Sequence, residues 1–207
     1  MAAKRVEPVV VHPLAFAGDD GQLVAGIRQG HPAATVHFYA KFAESMRRLL
    51  FRILGPDSEL DDVLHDTFVR ALESIDSLRD PGALRSWISG IAIHTARARI
   101  QRRHRRRWLR FFAPEDLPER AEPAPSPEVS DTLRAVQRVL ERLPLDERVA
   151  VVLRCAEEMT MPEAAAACGV SLSTFKRRLA TAERAFRELS TDEPALRDWW
   201  QGDEHGS

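Results

Sequence analysis

The chain has 207 residues, 44% of them hydrophobic and 29% charged, with 30 basic and 31 acidic side chains giving a formal net charge of -1. That length fits one large domain or two small ones with buried cores. No stretch approaches the roughly 18 apolar residues of a membrane span, and two cysteines give neither a disulfide framework nor metal-ligand spacing. Glycine is scarce and β-branched runs are rare, so the expected class is all-α, and the expected compartment is the cytoplasm.

Residues 1–17 read as a flexible leader, broken by prolines and without a cleavage pattern. From Asp19 two helices follow, separated at Gly30-His31-Pro32. Their core stripe is read as Leu23, Ile27, Val36, Tyr39, Phe42, Met46, Leu49, Leu50 and Ile53. Gly55-Pro56 ends the pair. Ser58 is the expected N-cap of the next helix, with Asp61 in the capping-box position. Leu60, Val63, Leu64, Phe68, Ala71, Leu72 and Ile75 give that helix its buried face. Glu59, Asp61, Asp62 and Asp66 crowd its first turns, which suits the helix dipole and equally suits a docking face for a partner.

A polar loop over residues 77–84, with a Pro81-Gly82 turn, leads into the most distinctive stretch of the chain. Trp87, Ile88, Ile91 and Ala92 stand at helical spacing. Arg97, Arg99, Arg102, Arg103, Arg105, Arg106, Arg107 and Arg110 follow with no acid among them. Arginine carries a fixed charge and a planar donor fork suited to phosphate. The apolar lead-in ties this positive field to a folded body. Trp87 reads as either a core indole or a base contact.

Here a resemblance enters. DDVLHDTFVRALESIDSL and LRSWISGIA resemble region 2 of the extracytoplasmic-function sigma factors, the small promoter-recognition subunits of bacterial RNA polymerase. The resemblance implies that Asp61, Asp62, His65 and Asp66 dock on the polymerase core. It further implies that the loop and basic helix bind the promoter −10 element, through Arg79, Arg85, Trp87, His94, Arg97, Arg99 and Arg103. The sequence departs from the family pattern at Gly90, Ile93-His94 and Ala98, where a basic residue, an Arg-Asn pair and an acid are usual.

Residues 108–129, rich in proline, alanine and acids, read as a linker. About 20 residues at roughly 3.3 Å each reach about 65 Å when extended, the length of roughly 20 base pairs. Two domains on such a tether could occupy separate DNA elements.

The second unit is expected over residues 130–189. Leu133, Val136, Val139, Leu140 and Leu143 form one stripe, and Val149, Val152, Leu153 and Ala156 continue it. Thr160-Met161-Pro162-Glu163 reads as a capping box with proline in the first turn. Gly169 suits a C-terminal cap, and Ser171 caps the helix that follows. That is the spacing of a helix-turn-helix. On the second helix Leu172, Phe175, Leu179, Ala182 and Phe186 point inward, leaving Ser173, Thr174, Lys176, Arg177 and Arg178 outward. Together with Ser171 these suit phosphates and base edges in a major groove. The stretch LPLDERVAVVLRCAEEMTMPEAAAACGVSLSTFKRRLATAERAF resembles region 4 of the same sigma factors, which implies binding to the −35 element. Glu158 stands where those proteins carry a glycine. The tail, residues 190–207, is short and acidic with a Trp199-Trp200 pair, and reads as a partly packed helical end, a cover for region 4 or a regulator site.

The expected architecture is therefore two small helical domains on a flexible linker, with polymerase core and promoter DNA as partners and an anti-sigma factor as a further candidate. No catalytic residue, metal ligand or cofactor is expected. The seven histidines are scattered, and no nucleophile context or phosphate-cradling glycine loop occurs. Two other readings compete: a helix-turn-helix regulator acting without polymerase, and a sigma-like protein-interaction adaptor. The first leaves the acidic helix and the Trp87 segment unexplained.

Overall fold

A computed structural model describes residues 18–112 and 131–196; the leader, most of the linker and the Trp199-Trp200 end lie outside the described residues. The described residues form eight α-helices and no strand: α1 (Asp20–Arg28), α2 (Pro32–Leu54), α3 (Leu60–Glu73), α4 (Leu84–Phe112), α5 (Asp131–Arg142), α6 (Leu145–Val151), α7 (Met161–Cys168) and α8 (Leu172–Ser190). Short 3-10 turns at Ile75–Ser77 and Pro81–Ala83 join α3 to α4, and a π segment, Val152–Ala156, extends α6. The helix α4 runs through Phe112, into the segment read as linker.

Asp19 caps α1 by accepting the Gln22 amide at 2.8 Å. In α2 the buried face differs from the expected stripe at its start. Ala34 and Phe38 are buried, whereas Val36 and Tyr39 are about half exposed. Both stripes converge on Phe42 and Met46, so spacing alone does not separate them. Contact with α3 decides: Phe38 meets Phe68 edge-on at 5.6 Å and Phe42 at 5.4 Å. Tyr39 flanks Phe68 at 4.7 Å from the rim of the core.

The start of α3 also differs. Glu59, not Ser58, occupies the N-cap, and no side chain caps the helix there. The turn is built by Asp57, whose carboxylate accepts the Glu59 amide at 3.0 Å. A short acid one residue earlier replaces the expected serine, and two arginines of α4 hold it in place. Three further inward positions are exposed: Leu133 (61%), Leu172 (39%) and Ala156. Each sits at the first turn or the end of its element.

The two helical units share one apolar core. It runs from Phe38, Met46 and Ile53 through Leu84, Ile88 and Ala92 into Val149, Leu153, Met159 and Phe175. Burying each large apolar side chain contributes about 1.5–3 kcal/mol. The helix α4 packs on α2 and α3 and also on α7. At that last contact Gly90 matters, because a Cβ there would stand 3.0 Å from the Ala167 carbonyl oxygen. A smaller cluster of Ala135, Val139 and Leu196 fastens the segment just after α8 to α5. Arg138 reinforces it with a 2.6 Å ion pair to Glu193. The beginning of the acidic tail is thus packed.

Glu158 adopts a left-handed conformation, φ 53°, alone among the described non-glycine residues. A side chain costs roughly 1–2 kcal/mol in that region, and glycine's extra chain entropy returns about 0.5–1 kcal/mol of that. Glu158→Gly is therefore expected to stabilise the fold by roughly 0.5–1 kcal/mol. A thermal melt that is unchanged or lower would contradict this.

Candidate nucleic-acid and polymerase interface

The helix-turn-helix is assembled by local chemistry. Thr160 and Glu163 form a reciprocal capping box at the start of α7. Hydrogen bonds from the Thr160 hydroxyl and amide hold the Glu163 carboxyl below its ordinary range. Gly169 closes the helix in the left-handed region, φ 66°, and the Val170 amide reaches back to Ala165. Ser171 then caps α8, accepting the Thr174 amide at 3.2 Å. Phe175, Leu179 and Ala182 anchor the inner face. Outward, Ser171, Ser173, Lys176 and Arg177 are exposed, while Thr174 and Arg178 are half-buried. Arg178 pairs with Asp146 at 2.9 Å.

The residues expected to meet the −10 element lie in several environments. Arg79 and His94 are exposed. Trp87 is half-buried and its indole N–H donates to the Ser77 hydroxyl at 3.3 Å. It therefore spans the two roles read for it, part core and part accessible rim. Arg85 donates to the Glu157 carbonyl at 2.8 Å, and Arg97 pairs with Asp146 at 2.7 Å. Arg99 is buried, bridging Glu59 at 2.7 Å and Asp57 at 3.3 Å. Arg103 completes that cluster at 3.1 Å from Asp57. The Arg99 guanidinium, expected to face the −10 element, is turned inward here, where it closes the α2–α3 turn. His104 and the arginines beyond Arg105 have side chains outside the described set.

On α3, Asp61, Asp62, His65 and Asp66 are all exposed. Asp61 pairs with Arg47 at 2.8 Å. Between α4 and α7 lies an open cleft of about 580 Å³, lined by Arg70, Trp87, His94 and Arg97 on one side and by Ala167 and Gly169 on the other. Cys168 borders it, and burial pushes its thiol up to about 11, so it stays protonated at neutral pH. Among the described residues no group of three or more His, Cys, Asp or Glu side chains is placed to hold a metal ion. No described helix is long and apolar enough to cross a membrane.

Three acids went unread in the sequence: Asp57, Asp146 and Glu157. Asp146 opens α6, where an acid reads as a dipole partner. Glu157 is buried between Arg52, at 2.7 Å, and Arg85. No spacing signal marks either, because Glu157 finds both partners in the other helical unit and Asp146 finds one there, Arg97, and the other thirty-two residues on, Arg178.

Residues 38–107 match the model of Sigma-70 region 2 and residues 133–186 that of Sigma-70, region 4. RNA polymerase sigma factor NccH of Alcaligenes xylosoxydans xylosoxydans is 34% identical over 65% of this chain and 74% of its own. The chain belongs to the sigma-70 family. RNA polymerase sigma factor CnrH of Cupriavidus metallidurans is 30% identical over 82% of this chain and 93% of its own. A solved structure of CnrH in complex with the cytosolic domain of CnrY superposes with a TM-score of 0.60, at 25% identity, covering 82% of this chain and 96% of that one. The chain is an RNA polymerase sigma factor of the extracytoplasmic-function group and acts in transcription initiation. It binds polymerase and promoter DNA. Nothing in these likenesses favours a regulator independent of polymerase, or an adaptor.

Proposed function

We propose that this sigma factor divides promoter recognition between its helical units, region 2 over residues 18–107 and region 4 over residues 130–189, tethered by residues 108–129. The helix α8 reads the −35 element in the major groove. Ser171, Ser173 and Thr174 stand at its N-terminus, with Lys176, Arg177 and Arg178 on the following turn. The observation that carries this reading is a rigid, capped α8 whose inner face is buried and whose outer face presents Lys176 and Arg177. Helix-turn-helix proteins place the N-terminal residues of their second helix against base edges.

The −10 element is met by Arg79, Arg85, Trp87, His94 and Arg97, with Arg103 at the margin. Arg99 we assign to holding the fold, on its burial and its two acidic partners. Strand opening needs no covalent chemistry. Unstacking costs about a few kcal/mol per step, offset by captured bases and phosphate contacts. The role is accordingly non-enzymatic and cytoplasmic. The acidic face of α3, Asp61, Asp62, His65 and Asp66, docks on the polymerase core. The likeness to a sigma factor solved with CnrY supports an anti-sigma protein as a further partner.

Arg177→Ala or Arg178→Ala is expected to weaken −35 binding by roughly 1–3 kcal/mol if the side chain reads a base. A phosphate contact would instead weaken all sequences alike and reduce the salt slope by about one. Unchanged binding in both variants would remove α8 from DNA recognition.

A further inference from the structure

The two DNA-facing helices are held together by one carboxylate. Asp146, at the start of α6, sends one oxygen to Arg97 of α4 at 2.7 Å. Its other oxygen meets Arg178 of α8 at 2.9 Å. Both arginines belong to the residues assigned above to promoter DNA, one to each element. The approach is made possible by Gly90, against which the Ala167 carbonyl sits. At the far end of the same interface Glu157 joins Arg52 and Arg85, a third arginine assigned to DNA.

We propose that Asp146 is an internal mimic of a DNA phosphate, holding the chain in a closed form that a phosphodiester must displace. A carboxylate and a phosphate present the same paired acceptors to a guanidinium fork, so Arg97 and Arg178 serve either the latch or DNA. In the closed form the α4 face around Gly90 is covered by α7, and region 4 is held against region 2. The −10 and −35 elements of a promoter are separate sites. Engaging both therefore requires this interface to part. The latch suits a reversible role, because Asp146 is 44% exposed, each arginine about 27–29%, and such pairs are individually weak. This inference rests on the DNA roles proposed for α4 and α8.

The test uses the full chain and a fluorescein-labelled DNA duplex of mixed sequence at low salt, read by anisotropy. Asp146→Asn is expected to tighten binding roughly threefold to tenfold, as release of two weak ion pairs would give. Glu147→Gln removes the same charge one residue away and is expected to keep wild-type affinity. Gly90→Gln introduces a neutral side chain against the Ala167 carbonyl. It is expected to tighten binding by parting the helices, and it carries the test if Asp146→Asn fails to fold. Wild-type affinity in both Asp146→Asn and Gly90→Gln would overturn the latch alone. Equal tightening by Glu147→Gln would overturn it as well, leaving only a net-charge effect. Absence of binding in every variant would overturn the DNA roles of α4 and α8, and the latch with them.

Discussion

Replacing Asp62 and Asp66 together by lysine is expected to abolish capture of core polymerase while leaving the helical fold intact. Both side chains are exposed on α3, one turn apart, while Val63, Leu64, Thr67 and Phe68 face the core. The exchange inverts the charge of the face without touching a buried contact. Lysine in the first turn opposes the helix dipole and costs the fold about 0.3–1 kcal/mol. At the interface, like charges set against each other cost several kcal/mol, enough for a loss of about a hundredfold or more in affinity. Circular dichroism and a thermal melt close to wild type, with no core retained in a pull-down, is the expected pair of results. Core retained at normal strength would move the docking surface off α3.

The largest expected effect on stability lies at Asp57. Its side chain is almost fully buried and accepts the Glu59 amide, while Arg99 and Arg103 face its two oxygens. Asp57→Asn leaves both guanidiniums facing a neutral amide. Breaking a buried pair by removing one partner costs about 3–5 kcal/mol, and Arg99 keeps Glu59, so about 3 kcal/mol is expected. The same site predicts a pH dependence. Burial by itself raises the Asp57 pKa, but the Glu59 amide and the charges of Arg99 and Arg103 outweigh it, so the carboxyl titrates below its ordinary range. Its contribution is thus fully present above the unfolded value of about 4 and is lost as pH falls through the lower native value. Urea midpoints of the wild type should drop as pH falls from about 4 towards that native value, and Asp57→Asn should lack this part of the drop. A variant as stable as wild type at neutral pH would reduce the cluster to surface decoration.

These two sites also mark what the sequence discloses and what it hides. The Asp62–Asp66 face was legible because it needs only helical spacing: apolar residues on one side and acids on the other. The capping box at Thr160, the Gly169 turn and the Ser171 cap were legible for the same reason, each being settled within a few residues. Asp57 was not, because its partners lie more than forty residues away on α4. Val36 and Tyr39 read as core because two stripes share the later positions of α2, and only the Phe68 ring chooses between them. Arg99 groups with its neighbours by charge, yet one helical face carries it inward. The closed packing of region 4 on region 2 was least legible of all. It depends on Gly90, which in sequence reads only as a departure from the family pattern, and on Asp146 and Glu157, whose partners Arg97, Arg52 and Arg85 lie far away in the chain.

As a sigma factor, this chain directs polymerase to open a promoter. The most direct measurement is permanganate reactivity of thymines on a duplex promoter taken from the protein's own binding sites in cells, with purified core polymerase. Core plus this chain is expected to render thymines reactive at the −10 element, and core alone to leave them protected. Thymines equally protected with and without the chain, on every promoter so mapped, would contradict it.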